Sequence, residues 1–225
     1  MNGSNRSPIK IIAWMISVLI PILILLTALR ILLTPAFVRL EYSTPNFPED
    51  TYGFTKSDRL RWAPVALAYL LNDEDITFLS DLEFEDGTSL YNERELGHMI
   101  DVKNLAQASL RVWYGMLIIM IALGIWARRS GWWMGYLSAY RRGGWITIGI
   151  VIALLIFLLI SFDKLFIGFH RVFFEGETWM FAYSDTLIRL FPMRFWQDVF
   201  IAFGALMLAG GIALAKFIKV GDSKT

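Results

Sequence analysis

Four apolar stretches, residues 11–33, 108–126, 145–162 and 199–215, dominate the 225 residues of this chain. A helix needs about 20 such residues to cross the ~30 Å hydrocarbon layer of a bilayer, where only helices and closed barrels satisfy their own backbone groups. Composition agrees: 56% of the residues are hydrophobic and the mean hydropathy is +0.52, too apolar for a water-soluble globule. The expected class is an all-α membrane protein, a bundle of four transmembrane helices. The first stretch is too long for a signal-peptide core, and "LLTPAFVRLEYS" follows it in place of a small-residue cleavage site. It reads as a retained span, bent at Pro21.

The net charge of +1 conceals two separated fields. Arg6 and Lys10 precede the first span, and Arg128, Arg129, Arg141 and Arg142 flank the loop between the second and third. Lys216, Lys219 and Lys224 follow the fourth. By the positive-inside rule, residues 1–10, 127–144 and 216–225 face the cytoplasm. Residues 34–107, with fourteen acids against six bases, and residues 163–198 then lie outside. The larger outer segment is too short to bury a substantial core of its own and is expected to rest on the bundle as a small mixed α/β cap. Within it "RWAPVALAYLL" (61–71) has helical spacing, and "ITFLSDLEFEDGTSLYN" (76–92) predicts two short strands around an Asp86-Gly87 turn. Asn92, with Glu95 three residues on, predicts a capped helix that runs into the second span. The loop "RRSGWWMGYLSAYRR" (128–142) has the composition of an interfacial anchor, and Gly204, Gly210 and Gly211 suit close helix packing.

Cysteine is absent, which removes disulfides, thiol nucleophiles and thiolate metal sites. There are two histidines, His98 and His170. A helix rising 1.5 Å per residue places each roughly 15 Å beyond an apolar run, at headgroup depth on the wet rim of the bundle. Glu95 and Asp101 flank His98 at helical spacing, so either carboxylate can set its tautomer; Asp185 is a third expected supporting carboxylate. His170 lies in "IGFHRVFFEGETWMF" (167–181), where Phe169, Phe173, Phe174, Trp179, Phe181 and the nearby Tyr183 are expected to exclude water and line a substrate chamber. The same aromatics also have the composition of an interfacial belt. Four charges, Arg30, Arg111, Asp163 and Asp198, stand at outer ends of spans. Arg30 and Asp198 either pair structurally or line the site. Other chemistries use the same residues. The histidines with Glu95, Asp101, Glu175, Glu177 and Asp185 could hold a metal in a hydrolase, although no dense motif such as H-E-x-x-H is present. The histidine pair could also ligate haem, and the acidic cap could serve as a non-catalytic scaffold.

"ELGHMIDVKNL" (95–105), "FHRVFFEGETWMF" (169–181) and "DTLIRLFPMRFWQD" (185–198) resemble signature segments of the bacterial lipoprotein intramolecular transacylase family. The order of elements is similar over nearly the whole chain. Departures are Gly97, where a serine is common, and "EGE" (175–177), where an Asn-Asp-like turn is expected. The resemblance implies that His98 and His170 are a catalytic pair on the extracytoplasmic face of the bacterial cytoplasmic membrane. The implied reaction moves the sn-2 acyl chain of a diacylglyceryl-modified lipoprotein to the α-amino group of its N-terminal cysteine, giving a lyso-form lipoprotein. A monomer working among membrane lipids on lipoprotein partners is expected, with no cofactor, metal or nucleic acid. The chemistry suits two imidazoles. An α-amine has a pKa near 7.7–8, so one ring can accept its proton, while the other stabilises the oxyanion or protonates the departing glyceryl oxygen. Amine and ester belong to one molecule, so no enzyme nucleophile is required. The larger task is to bring them together, an effect of up to about 7–11 kcal/mol.

Overall fold

The first apolar run winds into α1 (Arg6–Leu32), which continues through Pro21. Thr34 then restarts the chain: its backbone is extended and its hydroxyl accepts from the Phe37 amide, capping α2 (Pro35–Glu41) with proline at the first helical position. The computed structural model describes residues 6–174 and 179–218, and every element it contains there is helical. The others are α3 (Lys56–Leu71), α4 (Thr77–Ser80), α5 (Glu93–Arg129), α6 (Trp133–Ile160), α7 (Phe162–Phe173), α8 (Thr186–Leu190) and α9 (Met193–Phe217). Among the described residues, four segments are long and apolar enough to cross a membrane: Ser7–Leu32, Glu93–Arg129, Trp133–Phe157 and Met193–Phe217. The chain is thus an all-α, multi-pass membrane protein.

Two compact units divide the chain. The first comprises Met1–Leu29, Arg111–Leu159 and Ile201–Thr225. Its core gathers Ile16 and Ile20 of α1 with Met120, Tyr136 and Ala139, while Ile118, Ile121 and Val18 stand more than half exposed, as lipid-facing side chains should. Helices approach closely where side chains are smallest. A Cβ on Gly144 would lie 2.7 Å from both the Gly211 carbonyl oxygen and the Ala215 amide, so α6 and α9 meet backbone to backbone there. The tyrosines of the "anchor" segment are structural. Tyr136 donates to the Met120 carbonyl at 2.7 Å, and residues 133–144 form the first turns of α6 rather than a loop.

The second unit comprises Arg30–Leu110 and Ile160–Phe200. Its larger core joins Trp62, Ala66 and Tyr69 of α3 to Leu79, Leu90, Met99, Leu187 and Leu190. A capping box between Thr55 and Asp58 opens α3. Arg59, 5% exposed, donates from Nε to the Arg189 carbonyl (2.9 Å) and from Nη1 to the Pro48 carbonyl (2.6 Å), binding α3 to the approach to α9. Here the expected mixed α/β cap is corrected: no strand occurs among the described residues. Asp75 accepts from the Thr77 amide and hydroxyl, nucleating α4 where the first strand was expected, and Leu79 is wholly buried. The remaining residues are too few for a ladder. They form one antiparallel bridge, Glu83 with Ser89, closed by Gly87 at φ 80° and by Asp86 accepting from Thr88. A single bridge without a neighbouring strand has no sheet to extend.

Candidate active site

His98 sits on the buried face of α5, one turn after Glu95. The local sequence explains this helix start. The Asn92 side chain accepts from the Glu95 amide (3.1 Å), and Glu95 Oε2 accepts in return from the Asn92 amide (2.9 Å). The other Glu95 oxygen accepts from the Leu187 amide at 2.6 Å. Both oxygens of this 1%-exposed carboxylate are therefore taken by backbone, and Glu95 fastens the start of α5 to that of α8. Two neighbours add to the seam: Thr186 Oγ1 donates to the Leu90 carbonyl, and Arg94 Nη1 donates to the Met180 carbonyl at 3.2 Å. Asp185 accepts from the Ala182 amide (2.9 Å) within the same loop.

His170 comes from α7, whose phenylalanines at 162, 166, 169 and 173 recur at helical spacing. Its Nδ1 lies 2.8 Å from the Phe166 carbonyl oxygen. A carbonyl can only accept, so Nδ1 carries the proton and Nε2 keeps its lone pair. Burial pushes the His170 pKa below the ordinary imidazole range, and the bond to Phe166 offsets part of that shift. The ring is thus held neutral with its lone pair on Nε2, which has no hydrogen-bond partner among the described residues, the tautomer a general base requires.

The two imidazoles face each other with centroids 6.2 Å apart and planes 23° from parallel. Neither is on a wet rim: His98 is 9% and His170 7% exposed. Helical rise spaces them along the chain but does not show how the aromatics fold over them. Phe174 touches both rings, at 5.0 Å from His98 and 5.5 Å from His170. Phe181 closes on His98 at 5.3 Å, and Trp179 and Phe169 on His170 at 4.8 and 5.5 Å. Other candidates lie apart. Phe173 packs on Phe169 and is half exposed; Tyr183 is 80% exposed and borders a separate groove of about 370 Å³ with Asp50 and Arg189. Asp101 is exposed. Arg30 turns to the Leu33 carbonyl at 3.5 Å, and Asp198 pairs with Arg194. Glu175 and Glu177 fall outside the described residues, among which no cluster of three or more metal-ligating side chains occurs. Sequence reasoning missed Phe166, whose ring lies 4.2 Å from that of His170 and whose carbonyl sets the tautomer. Its position four residues before a helical histidine was the available signal.

Fold and site together define a class: a multi-pass membrane protein with two buried imidazoles facing each other inside an aromatic enclosure. Residues 12–196 match the family of the lipoprotein intramolecular transacylase Lit, and the chain belongs to that family, which makes it a membrane acyltransferase. An uncharacterized protein of Aquifex aeolicus (strain VF5) is 33% identical over 220 residues, covering 93% of this chain and 97% of its own. The in meso structure of the membrane integral lipoprotein intramolecular transacylase from Bacillus cereus superposes with a TM-score of 0.76 at 23% identity, covering 96% of this chain and 95% of the other. The same protein carrying a histidine-to-alanine mutation gives 0.73, also at 23% identity, over 95% and 93%. At that identity the likeness speaks for the fold.

Proposed function

We propose that His98 and His170 catalyse transfer of the sn-2 acyl chain of a diacylglyceryl-modified lipoprotein to the α-amino group of its N-terminal cysteine. The observation that carries this reading is the facing pair of buried rings, one already fixed as the neutral Nδ1–H tautomer. His170 Nε2 takes a proton from the amine as its nitrogen attacks the ester carbonyl. The carbonyl π pair moves onto oxygen, then returns as the bond to the glyceryl oxygen breaks. The proton held on Nε2 passes to that oxygen, leaving a free glyceryl hydroxyl and a new amide. His98 faces the reacting centre from the opposing helix and accepts a hydrogen bond from the second N–H of the attacking amine, so that the two imidazoles act on the amine as one unit, and the aromatic rings keep out the water that would divert the ester to hydrolysis. Glu95 and Asp185 support the site through the loop that presents Phe181.

The enzyme works as a monomer among the lipids of the bacterial cytoplasmic membrane, with both termini cytoplasmic and the histidines on the extracytoplasmic face. Lys and Arg near the ends of the spans support that orientation. A cysteine replacing Ser89 should react with an impermeant thiol reagent in intact cells, and one replacing Ser138 should not. Labelling of Ser138→Cys alone would invert the topology. The reaction itself is tested by expressing a lipoprotein with and without this chain and fragmenting its N-terminal lipopeptide in a mass spectrometer. An N-acyl cysteine should accompany the enzyme. An unchanged diacylglyceryl pattern at confirmed expression and membrane insertion would refute the assignment.

A further inference from the structure

The oxyanion, which the sequence offers to the second imidazole, still needs a donor that carries a hydrogen at every stage of the reaction. The attack creates an oxyanion on the former ester carbonyl, which needs a fixed hydrogen-bond donor as the charge develops. His170 is committed twice over, its Nδ1–H to the Phe166 carbonyl and its Nε2 to the proton in transit. His98 Nδ1 is buried without a partner among the described residues, but an imidazole nitrogen can accept as readily as donate. Trp179 differs. Its Nε1–H can only donate, does not titrate in the working range, and is buried with no acceptor among the described residues.

A buried indole N–H normally finds a partner, because a donor withdrawn from water and left unpaired is destabilising. The Trp132 N–H is likewise unpartnered among the described residues, so it is the place of Trp179 beside His170 that gives its N–H a role. A tryptophan serving only as a wall could be replaced by phenylalanine without that cost. The ring stands 4.8 Å from His170, tilted by 33°, and packs edge-on against Phe166. Its place is fixed from the next residue, where Arg94 donates to the Met180 carbonyl. We infer that Trp179 is a third catalytic residue, whose indole N–H donates to the ester carbonyl oxygen of the substrate and holds the oxyanion formed during acyl transfer. This rests on the two-histidine reading above and completes it: His170 moves the proton, and Trp179 holds the charge.

The test separates the N–H from the ring. Trp179 is replaced by phenylalanine and, by site-specific incorporation, by benzothienylalanine, in which sulfur occupies the N–H position and the bicyclic shape is kept. Purified protein in lipid is assayed on a synthetic diacylglyceryl lipopeptide, with wild type and His170→Ala alongside. The sulfur analogue should lower kcat by about 10²-fold or more with KM changed less than about threefold, the pattern for loss of a transition-state donor. Trp179→Phe should lower kcat at least as far. Wild-type kcat in the sulfur analogue would overturn the inference, as would a change confined to KM, since either makes the residue a wall. If the sulfur analogue does not insert, Trp179→Phe decides by the same kcat and KM criterion. Near-normal turnover by His170→Ala would instead remove the two-histidine reading, so the two failures are distinguishable.

Discussion

His98→Ala and His170→Ala should each lower acyl transfer by about 10²–10⁴-fold, the usual contribution of a positioned acid or base. The double variant should fall little below the weaker single one, because groups that act as one unit are strongly non-additive. Both rings are buried, so alanine also leaves a cavity and folding must be checked beside activity. His170→Asn is the sharper variant. Its amide can still donate toward the Phe166 carbonyl and fill part of the space, but it offers no base near neutrality, and its activity should match that of the alanine variant. The pH profile carries the same argument. The neutral ring is the active form and burial lowers its pKa below the ordinary value near 6.5, while the substrate amine loses its nucleophilic form below its own pKa near 7.7–8. The wild-type profile should therefore show a second acid limb below 6.5 that is missing from the residual activity of His170→Asn, and a profile with the amine limb alone in both would contradict the assignment of His170 as the buried base.

Glu95→Ala should be the most destabilising single change at the site. It deletes the acceptor for the Asn92 and Leu187 amides, leaving two donors unpaired at a wholly buried position. Bonds to a charged group contribute about 1.5–3 kcal/mol each, so a loss of about 3–6 kcal/mol is expected in chemical or thermal unfolding. Activity should fall with it, since the seam carries the loop that sets Phe181 against His98. Glu95→Gln keeps one acceptor oxygen and should cost less. Asp101→Asn, at an exposed position, should change neither stability nor rate appreciably. Equal effects of Glu95→Ala and Asp101→Asn would show that the seam is not what holds the site.

These two carboxylates show where sequence reasoning stopped. Helical spacing put both one turn from His98, and that much was legible. Which one faced inward depended on an amide 92 residues away, at Leu187, and no local periodicity encodes such a contact. The four membrane helices were legible for the opposite reason, since each is specified by its own run of apolar residues. The Asn92 cap was equally local and is formed as expected. The strands failed at Asp75, where a side chain taking the Thr77 amide started a helical turn that β-type spacing did not anticipate. The aromatic run around His170 announced an enclosure, but sorting Phe174 and Trp179, which touch the imidazole, from the exposed Tyr183 required the folded loop.

On the proposed mechanism one substrate molecule is rearranged within the enclosure, with no acyl chain lost to water or exchanged with a second molecule. Two synthetic diacylglyceryl lipopeptides that differ in peptide sequence, only one of which carries a deuterated sn-2 chain, distinguish these outcomes. Both are incubated together with the purified protein, and the intact products are fragmented by mass spectrometry. Each lipopeptide should keep its mass, the deuterated chain should move from glyceryl oxygen to the cysteine nitrogen of its own peptide, and none should appear on the other. Loss of an acyl mass would make the protein a hydrolase, and deuterated chains on the second peptide would make it an intermolecular acyltransferase; either result would refute intramolecular transfer.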